Sequence, residues 1–292
     1  SYVSRYVSSG LFRRVYNTFD AMFQQGDVNH VTGDIHYVGL LMNPRKTIHT
    51  IHDIGFLKRS SGIKGLMFKK LWIEWPAKRS KKITVVSAAT KAELIAHTNI
   101  PESKIVVIPN SISPLFKPSA NAKVKEEMTQ ILQIGSAHNK NLTRLIQACE
   151  GLNVHLEIIG KPSNEDLQSL KAKGISYHTS QDLSLEEVVH KYQQSDLLFF
   201  ASTYEGFGMP ILEAQAVGIP VITSNILSMP EVAADAALLV DPYKVDEIRG
   251  AIIRLQSDDN LREGLIQKGF ENVKRYKAEE IVKLYCKLYR EL

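Results

Sequence analysis

"DLLFFASTYEGFGMPILEAQAVG", residues 196–218, has the pattern of a strand, a loop and a helix in succession. "DLLFFAS" reads as a buried strand, "TYEGFGM" as the loop that follows it, and "PILEAQAV" as a helix opened by Pro210 and closed by Gly218. In open α/β sheets ligands bind beyond the carboxyl ends of the strands, where this loop falls. Gly206 and Gly208 let the backbone approach a ligand closely, and the helix start supplies free N–H groups with a positive partial charge. The stretch therefore outlines an anion pocket. Carboxylates repel phosphate, so Glu205 and Glu213 serve hydroxyl donors on its flanks: Glu213 a ribose diol, Glu205 the hydroxyls of a sugar. A sugar nucleotide has that layout of diol, diphosphate and polyhydroxyl ring.

The same alternation extends outward along the chain. "DVNHVTG", "KTIHTIH", "KITVVS" and "KIVVIP" precede "QILQIG", "VHLEIIG", "PVITS" and "AALLV", with helical stretches between them. Short runs apolar on both faces, separated by helices, indicate parallel sheets covered on both sides. The class is α/β. Around "SPLFKPSANAKVKEEMTQ" the pattern lapses into Pro, Ser, Ala and Lys, as a connector between two sheets should. The expected organisation is an N-terminal Rossmann-like domain over 1–118, a nucleotide-sugar-binding domain over 119–275, and a C-terminal helix over 276–292 that returns to the first domain. No strand with a glycine-rich turn is read ahead of "DVNHVTG", so the first β-α unit of the N-terminal sheet is unaccounted for.

Composition narrows the function classes. The 292 residues, 44% hydrophobic and 23% charged, are those of an ordinary globular protein of two moderate cores. Cys149 and Cys286 stand far apart and outside any CxxC pattern, which implies neither a zinc cluster nor a secreted disulfide framework and fits a reducing compartment. No apolar run is long enough to span a bilayer, and "SYVSRYVSSG" lacks the apolar core of a signal peptide, so the expected location is cytoplasmic. The net charge of +5 favours anionic partners without choosing among them. Its distribution says more: residues 58–82 carry nine lysines and arginines against Glu74, interleaved with Leu66, Leu71, Trp72 and Trp75. That stretch reads as a surface for an anionic membrane, which would make the protein peripheral at the inner membrane face, or as an ordinary amphipathic helix with solvated lysines. No nucleic-acid recognition motif accompanies it.

"EGFGMPILE" with "GIPVITSNILSMPEVAADAALLVDP" resembles the E-x7-E region of family 4 retaining glycosyltransferases. "HTIHDIGF", "VVSAATKAEL", "IPNSI" and "ILQIGSAHNKNLTRLIQA" match further landmarks of that family in the same order, so the resemblance covers the chain from about residue 28. It implies the GT-B fold of two facing Rossmann-like domains. It further implies transfer of a sugar, with retention, from a nucleotide-diphosphate donor such as a UDP sugar or GDP-mannose. The acceptor would be the hydroxyl of a saccharide or lipid-linked compound, in bacterial cell-surface polysaccharide or glycolipid synthesis. In the family's pattern Glu213 binds the ribose, while Glu205 and the backbone of Gly206, Phe207 and Gly208 contact the donor sugar. Lys140 binds the diphosphate beside Gly135 and Ser136, and His52 lies near the transferred sugar. Glu205, His52 and Lys140 are the implied catalytic group, and neither metal nor other cofactor is expected. One departure is plain: many members carry an arginine after the glycine of the "IG" strand, whereas Gly135 is followed by Ser136, which offers only neutral hydrogen bonds.

Each residue also has a structural reading. His52 and Asp53 can be a strand end and a cap, Lys140 a solvated lysine beside "NLTRLIQA", and His36 of "GDIHYVG" a structural histidine. The nine histidines show no metal-ligand spacing. Ile211 stands where a dinucleotide fingerprint needs its third glycine or alanine, which disfavours a dehydrogenase. Two other functions compete with transfer: a glycosidase using Glu205 and Glu213, active without nucleotide, and a non-catalytic relative that binds a sugar nucleotide or a partner enzyme. Base contacts would come from loops around "GKPSNED" and "YHTSQDL".

Overall fold

The apolar runs form strands covered on both faces, because each is short, β-branched and bounded by turn residues. The computed structural model describes residues 3–55, 62–119 and 127–292, with backbone alone at 63, 64 and 68. It divides into two compact units, Ser1–Asn110 with Ile281–Leu292, and Ser111–Glu280. The connector read near residue 119 thus lies within the second unit.

Among the described residues the first unit is built on four parallel strands in the order β1 (Asn29–Val31), β2 (Thr47–Ile51), β3 (Lys82–Val85) and β4 (Ile105–Val107). Every residue of β2 is buried. One core packs Ile51, Ile83, Val85 and Ile105 with Ile73, Ala77 and Leu94. Another packs Ile48 and Ile108 with Ile281 and Leu288 of the Ala278–Arg290 helix. That helix is also tied to the sheet by polar groups: the hydroxyl of Tyr289 lies 2.7 Å from His30 Nδ1, and His30 Nε2 lies 2.7 Å from Thr50 Oγ1. The amphipathic helix Leu11–Phe23 opens the described chain and packs Ala21 beside Val31, Tyr37 and Val38.

Of the basic segment 58–82, residues 58–61 lie outside the described residues. The rest is not one amphipathic helix but helix Gly62–Phe68, a wider π-helical turn Lys69–Glu74, and helix Trp75–Arg79 with Pro76 at its start. Pro76 removes an amide donor, so the ladder can restart but not run through. The break divides the large apolar residues: Trp72 packs on Tyr37 with ring centroids 4.7 Å apart, whereas Trp75, Leu66 and Met67 are exposed. Among the described residues no helix is long and apolar enough to cross a membrane.

The second unit holds β5 (Thr129–Ile134), β6 (Val154–Ile159), β7 (Ser176–Ser180), β8 (Leu197–Phe200), β9 (Val221–Ser224) and β10 (Leu238–Val240), all parallel, in the order β10-β9-β8-β5-β6-β7. The chain winds from β5 outward to β7, then returns to β8 and winds the other way. β5 and β8 are therefore neighbours whose following loops leave in opposite directions, opening a crevice at their carboxyl ends. "YHTSQDL" is corrected by this sheet: its first residues belong to edge strand β7, not to a loop. An edge strand with one solvated face needs little apolar patterning, and "SYHTS" has no fully buried residue.

Candidate active site

The crevice between β5 and β8 is assembled by backbone before it is lined by side chains. Gly135, directly after β5, has φ of +82°, and a Cβ there would come within 3.0 Å of the Lys140 stem. Glycine supplies both the positive φ and the room for the lysine to fold back across the turn. Gln133, fully buried, donates from Nε2 to the carbonyls of Gly135 at 2.9 Å and Lys140 at 3.0 Å, closing the loop from beneath. Asn141, in the left-handed region, donates to the carbonyls of Ala201 at 2.9 Å and Pro242 at 2.7 Å. The loop after β8 is zipped to this one: Thr203 N donates to the Asn139 carbonyl at 2.8 Å, and Asn139 Nδ2 to the Tyr204 carbonyl at 3.0 Å.

This framework brings Lys140 and Glu205 together. The Lys140 ammonium donates to Glu205 Oε1 across 2.7 Å and sits 4.9 Å from the centre of the Phe200 ring. The Ser228 hydroxyl donates to the Glu205 carbonyl at 3.2 Å. Two residues on, buried Phe207 meets Tyr276 edge to face at 5.9 Å. Gly208, at φ +114°, then caps the Met209–Val217 helix, whose first turn contains Pro210 and whose end is Gly218 at φ +88°. A Cβ on Gly208 would meet Ile211 at 3.1 Å, so the glycine allows the turn to lie on its own helix.

Glu213, on that helix, accepts from the hydroxyl of Tyr192 at 2.6 Å. Burial pushes its carboxyl up from the ordinary range, and the Tyr192 bond pulls it partly back. Tyr192 is fully buried, and burial beside the Glu213 charge holds its phenol well above the usual value. Sequence reasoning missed this tyrosine. Its signal was an aromatic four residues before the strand "DLLFF", in the helix "LEEVVHKYQQ".

Gly135, Ser136, Lys140, Glu205, Gly206, Phe207, Gly208 and Glu213 all belong to the loops after β5 and β8 or to the helix after β8. Ser136 donates its hydroxyl hydrogen to the Lys161 carbonyl at 2.6 Å, and a Cβ at neighbouring Gly160 would sit 3.0 Å from its oxygen. The hydroxyl keeps acceptor capacity only. His52 belongs to the first unit, directly after β2, where Nε2 donates to the Thr32 carbonyl at 2.8 Å. Asp53 beside it closes a tight turn by accepting from Gly55 N at 2.7 Å. His36 is buried, edge to face with His49.

The sequence model described as glycosyl transferases group 1 matches residues 117–272, more than half of the chain and all of this crevice. The chain belongs to the glycosyl transferases group 1 family. Residues 8–114 match the model of glycosyltransferase family 4. The chain is 30% identical to O-antigen chain mannosyltransferase B of Escherichia coli over 233 residues, 73% of this chain and 61% of that protein. It is 29% identical to the MMP alpha-(1->4)-mannosyltransferase of Mycolicibacterium hassiacum over 193 residues, 61% of this chain and 46% of that one. It therefore spans less than two thirds of the length of either relative. Among solved structures, Anabaena Alr3699/HepE in complex with UDP and glucose superposes with TM-score 0.79 at 16% identity, covering 96% of this chain and 82% of that one. The sucrose-phosphate synthase of Thermosynechococcus elongatus gives 0.78 at 20%, covering 96% and 77%. The fold is the two-unit, parallel-sheet GT-B class of the glycosyl transferases group 1 family.

Proposed function

We propose that the chain transfers a hexosyl unit, with retention, from a nucleotide-diphosphate sugar to an acceptor hydroxyl in the synthesis of a bacterial surface polysaccharide or glycolipid. The observation that carries the reading is the grouping of Lys140, Glu205, the Gly208 turn and Glu213 around one strand-end crevice. In this reading Lys140 and the amides opening the Met209–Val217 helix stabilise the departing diphosphate. Glu213 accepts from the ribose diol and Glu205 from donor-sugar hydroxyls. The donor's own phosphate oxygen takes the acceptor proton on the face it leaves, and in this reading these groups supply the charge stabilisation. The family resemblance gives His52, directly after β2, a role near the transferred sugar. The mannosyltransferase relatives favour GDP-mannose as donor.

Two features of the first unit support a lipid-linked acceptor presented at a membrane. An apolar groove of about 390 Å³ is lined by Leu11, Val15, Tyr37, Leu40, Leu71 and Trp72. Exposed Leu66, Met67 and Trp75 share their segment with exposed Lys70, Lys78 and Arg79. Apolar side chains among cations are what a peripheral cytoplasmic protein offers an anionic bilayer. Release of GDP from GDP-mannose, or of UDP from UDP sugars, with and without a lipid-linked saccharide tests the reading. Acceptor-stimulated release supports transfer. Tight donor binding without release supports instead a non-catalytic binding protein, the reading that Ser136 in place of arginine favours.

A further inference from the structure

A phosphate that approaches Lys140 meets a competitor already in place. Glu205 Oε1 holds the ammonium at 2.7 Å, and the two side chains are only 22% and 16% exposed. Neither partner is free to swing far. The lysine stem crosses Gly135, and the Glu205 backbone is anchored by Ser228 and by the zipper from Asn139 to the preceding residue. Asn139 Nδ2 stands 3.5 Å from the same carboxylate oxygen. Any anion bound by Lys140 therefore sits within a few ångströms of a carboxylate, in a site where water screens poorly.

This has opposite consequences for the two nucleotides such a site would meet. A nucleoside diphosphate presents a terminal phosphate with additional charge and only acceptor oxygens. A sugar nucleotide presents ring hydroxyls in that direction, and a carboxylate accepts from hydroxyls. We infer that Glu205 is a specificity-determining residue that selects the sugar nucleotide against the spent nucleoside diphosphate, through its standing ion pair with Lys140. The inference rests on the crevice being a sugar-nucleotide site. It deepens that reading by giving one carboxylate two tasks: holding the donor, then expelling what remains of it.

Calorimetric titration of the full chain and of Glu205→Gln with guanosine, GDP and GDP-mannose tests it. A parallel series uses uridine, UDP and UDP-glucose, and the series that the wild type binds is compared. The variant should bind the diphosphate about tenfold more tightly, bind the nucleoside unchanged, and bind the sugar nucleotide no better than wild type. Glu205→Asp, which keeps the charge but draws the carboxylate back from the ammonium, should tighten the diphosphate less than Glu205→Gln does. Unchanged or weaker diphosphate binding by Glu205→Gln overturns the inference. So does equal tightening by Glu205→Asp, or a parallel change in nucleoside affinity, since either shows that the residue acts through pocket shape. If the wild type binds neither series, the sugar-nucleotide reading itself fails and the inference falls with it.

Discussion

Tyr192 donates its hydroxyl hydrogen to Glu213 Oε2 across 2.6 Å, so one oxygen of the carboxylate assigned to the ribose is fixed from inside the protein. The bond orients the group and opposes the upward shift that burial imposes on it. Tyr192→Phe should weaken nucleotide binding by about tenfold, the equivalent of one lost hydrogen bond to a charged group. It should also change the pH profile. An ionised carboxylate accepts from a diol more strongly than the protonated acid does, so affinity falls as pH drops through the raised pKa of Glu213. Without the phenol that pKa rises further, and the acid limb of a binding curve measured across pH 4–8 should move upward. An unmoved limb would show that Tyr192 only fills space.

On the proposed reading Lys140 serves the phosphates and not the nucleoside. Lys140→Ala should weaken nucleoside diphosphate binding by at least tenfold while leaving the nucleoside unaffected, as read by competition titration. Equal losses for both ligands would contradict its assignment to the diphosphate. Because the substitution strands a mostly buried carboxylate on Glu205, an accompanying loss of about 2 kcal/mol in stability is expected in urea unfolding.

Gly135→Ala tests the turn that positions this lysine. At φ +82° an added methyl costs about 1–2 kcal/mol in backbone energy and enters the space of the Lys140 stem. Diphosphate affinity should fall with little change in the sheet's circular dichroism. Full retention of affinity would mean that the lysine reaches its position without the glycine.

The sequence carried the parallel sheets and the strand-end loop because the cues were local: apolar runs, Pro210 after the loop and Gly218 at the helix end. Strand β7 was illegible because an edge strand with a solvated face carries polar residues that resemble a loop. The Lys140–Glu205 pair was illegible for another reason. The partners are 65 residues apart, and only the return of the chain from β7 to β8 places their loops side by side. Read from the sequence alone both residues point to a ligand, and nothing local shows that they also pair with each other. Tyr192 escaped because a buried polar tip on a helix looks like any core aromatic until its acceptor is known.

The first unit should be acid-sensitive. Burial, with a neighbouring imidazole second, holds His30 and His36 down to about 4 and His49 to about 3, against 6.5 unperturbed. Below about pH 6.5 the unfolded chain takes up protons that the folded unit refuses, so stability is lost as pH falls toward the folded values. Each such histidine removes about 1–2 kcal/mol between pH 6.5 and 5. His30→Gln should shrink the difference between urea midpoints at those two pH values, and an unchanged difference would place the sensitivity elsewhere.

On the proposed reading the crevice after β5 and β8 holds a sugar nucleotide with its ribose on Glu213. Calorimetric titration of wild type and Glu213→Ala with GDP-mannose, and with UDP sugars in parallel, tests it most directly. Saturable one-to-one binding by the wild type, weakened tenfold or more in a folded Glu213→Ala, is the result expected. Equal affinity in the two proteins, or no binding of any sugar nucleotide by the wild type, would contradict it.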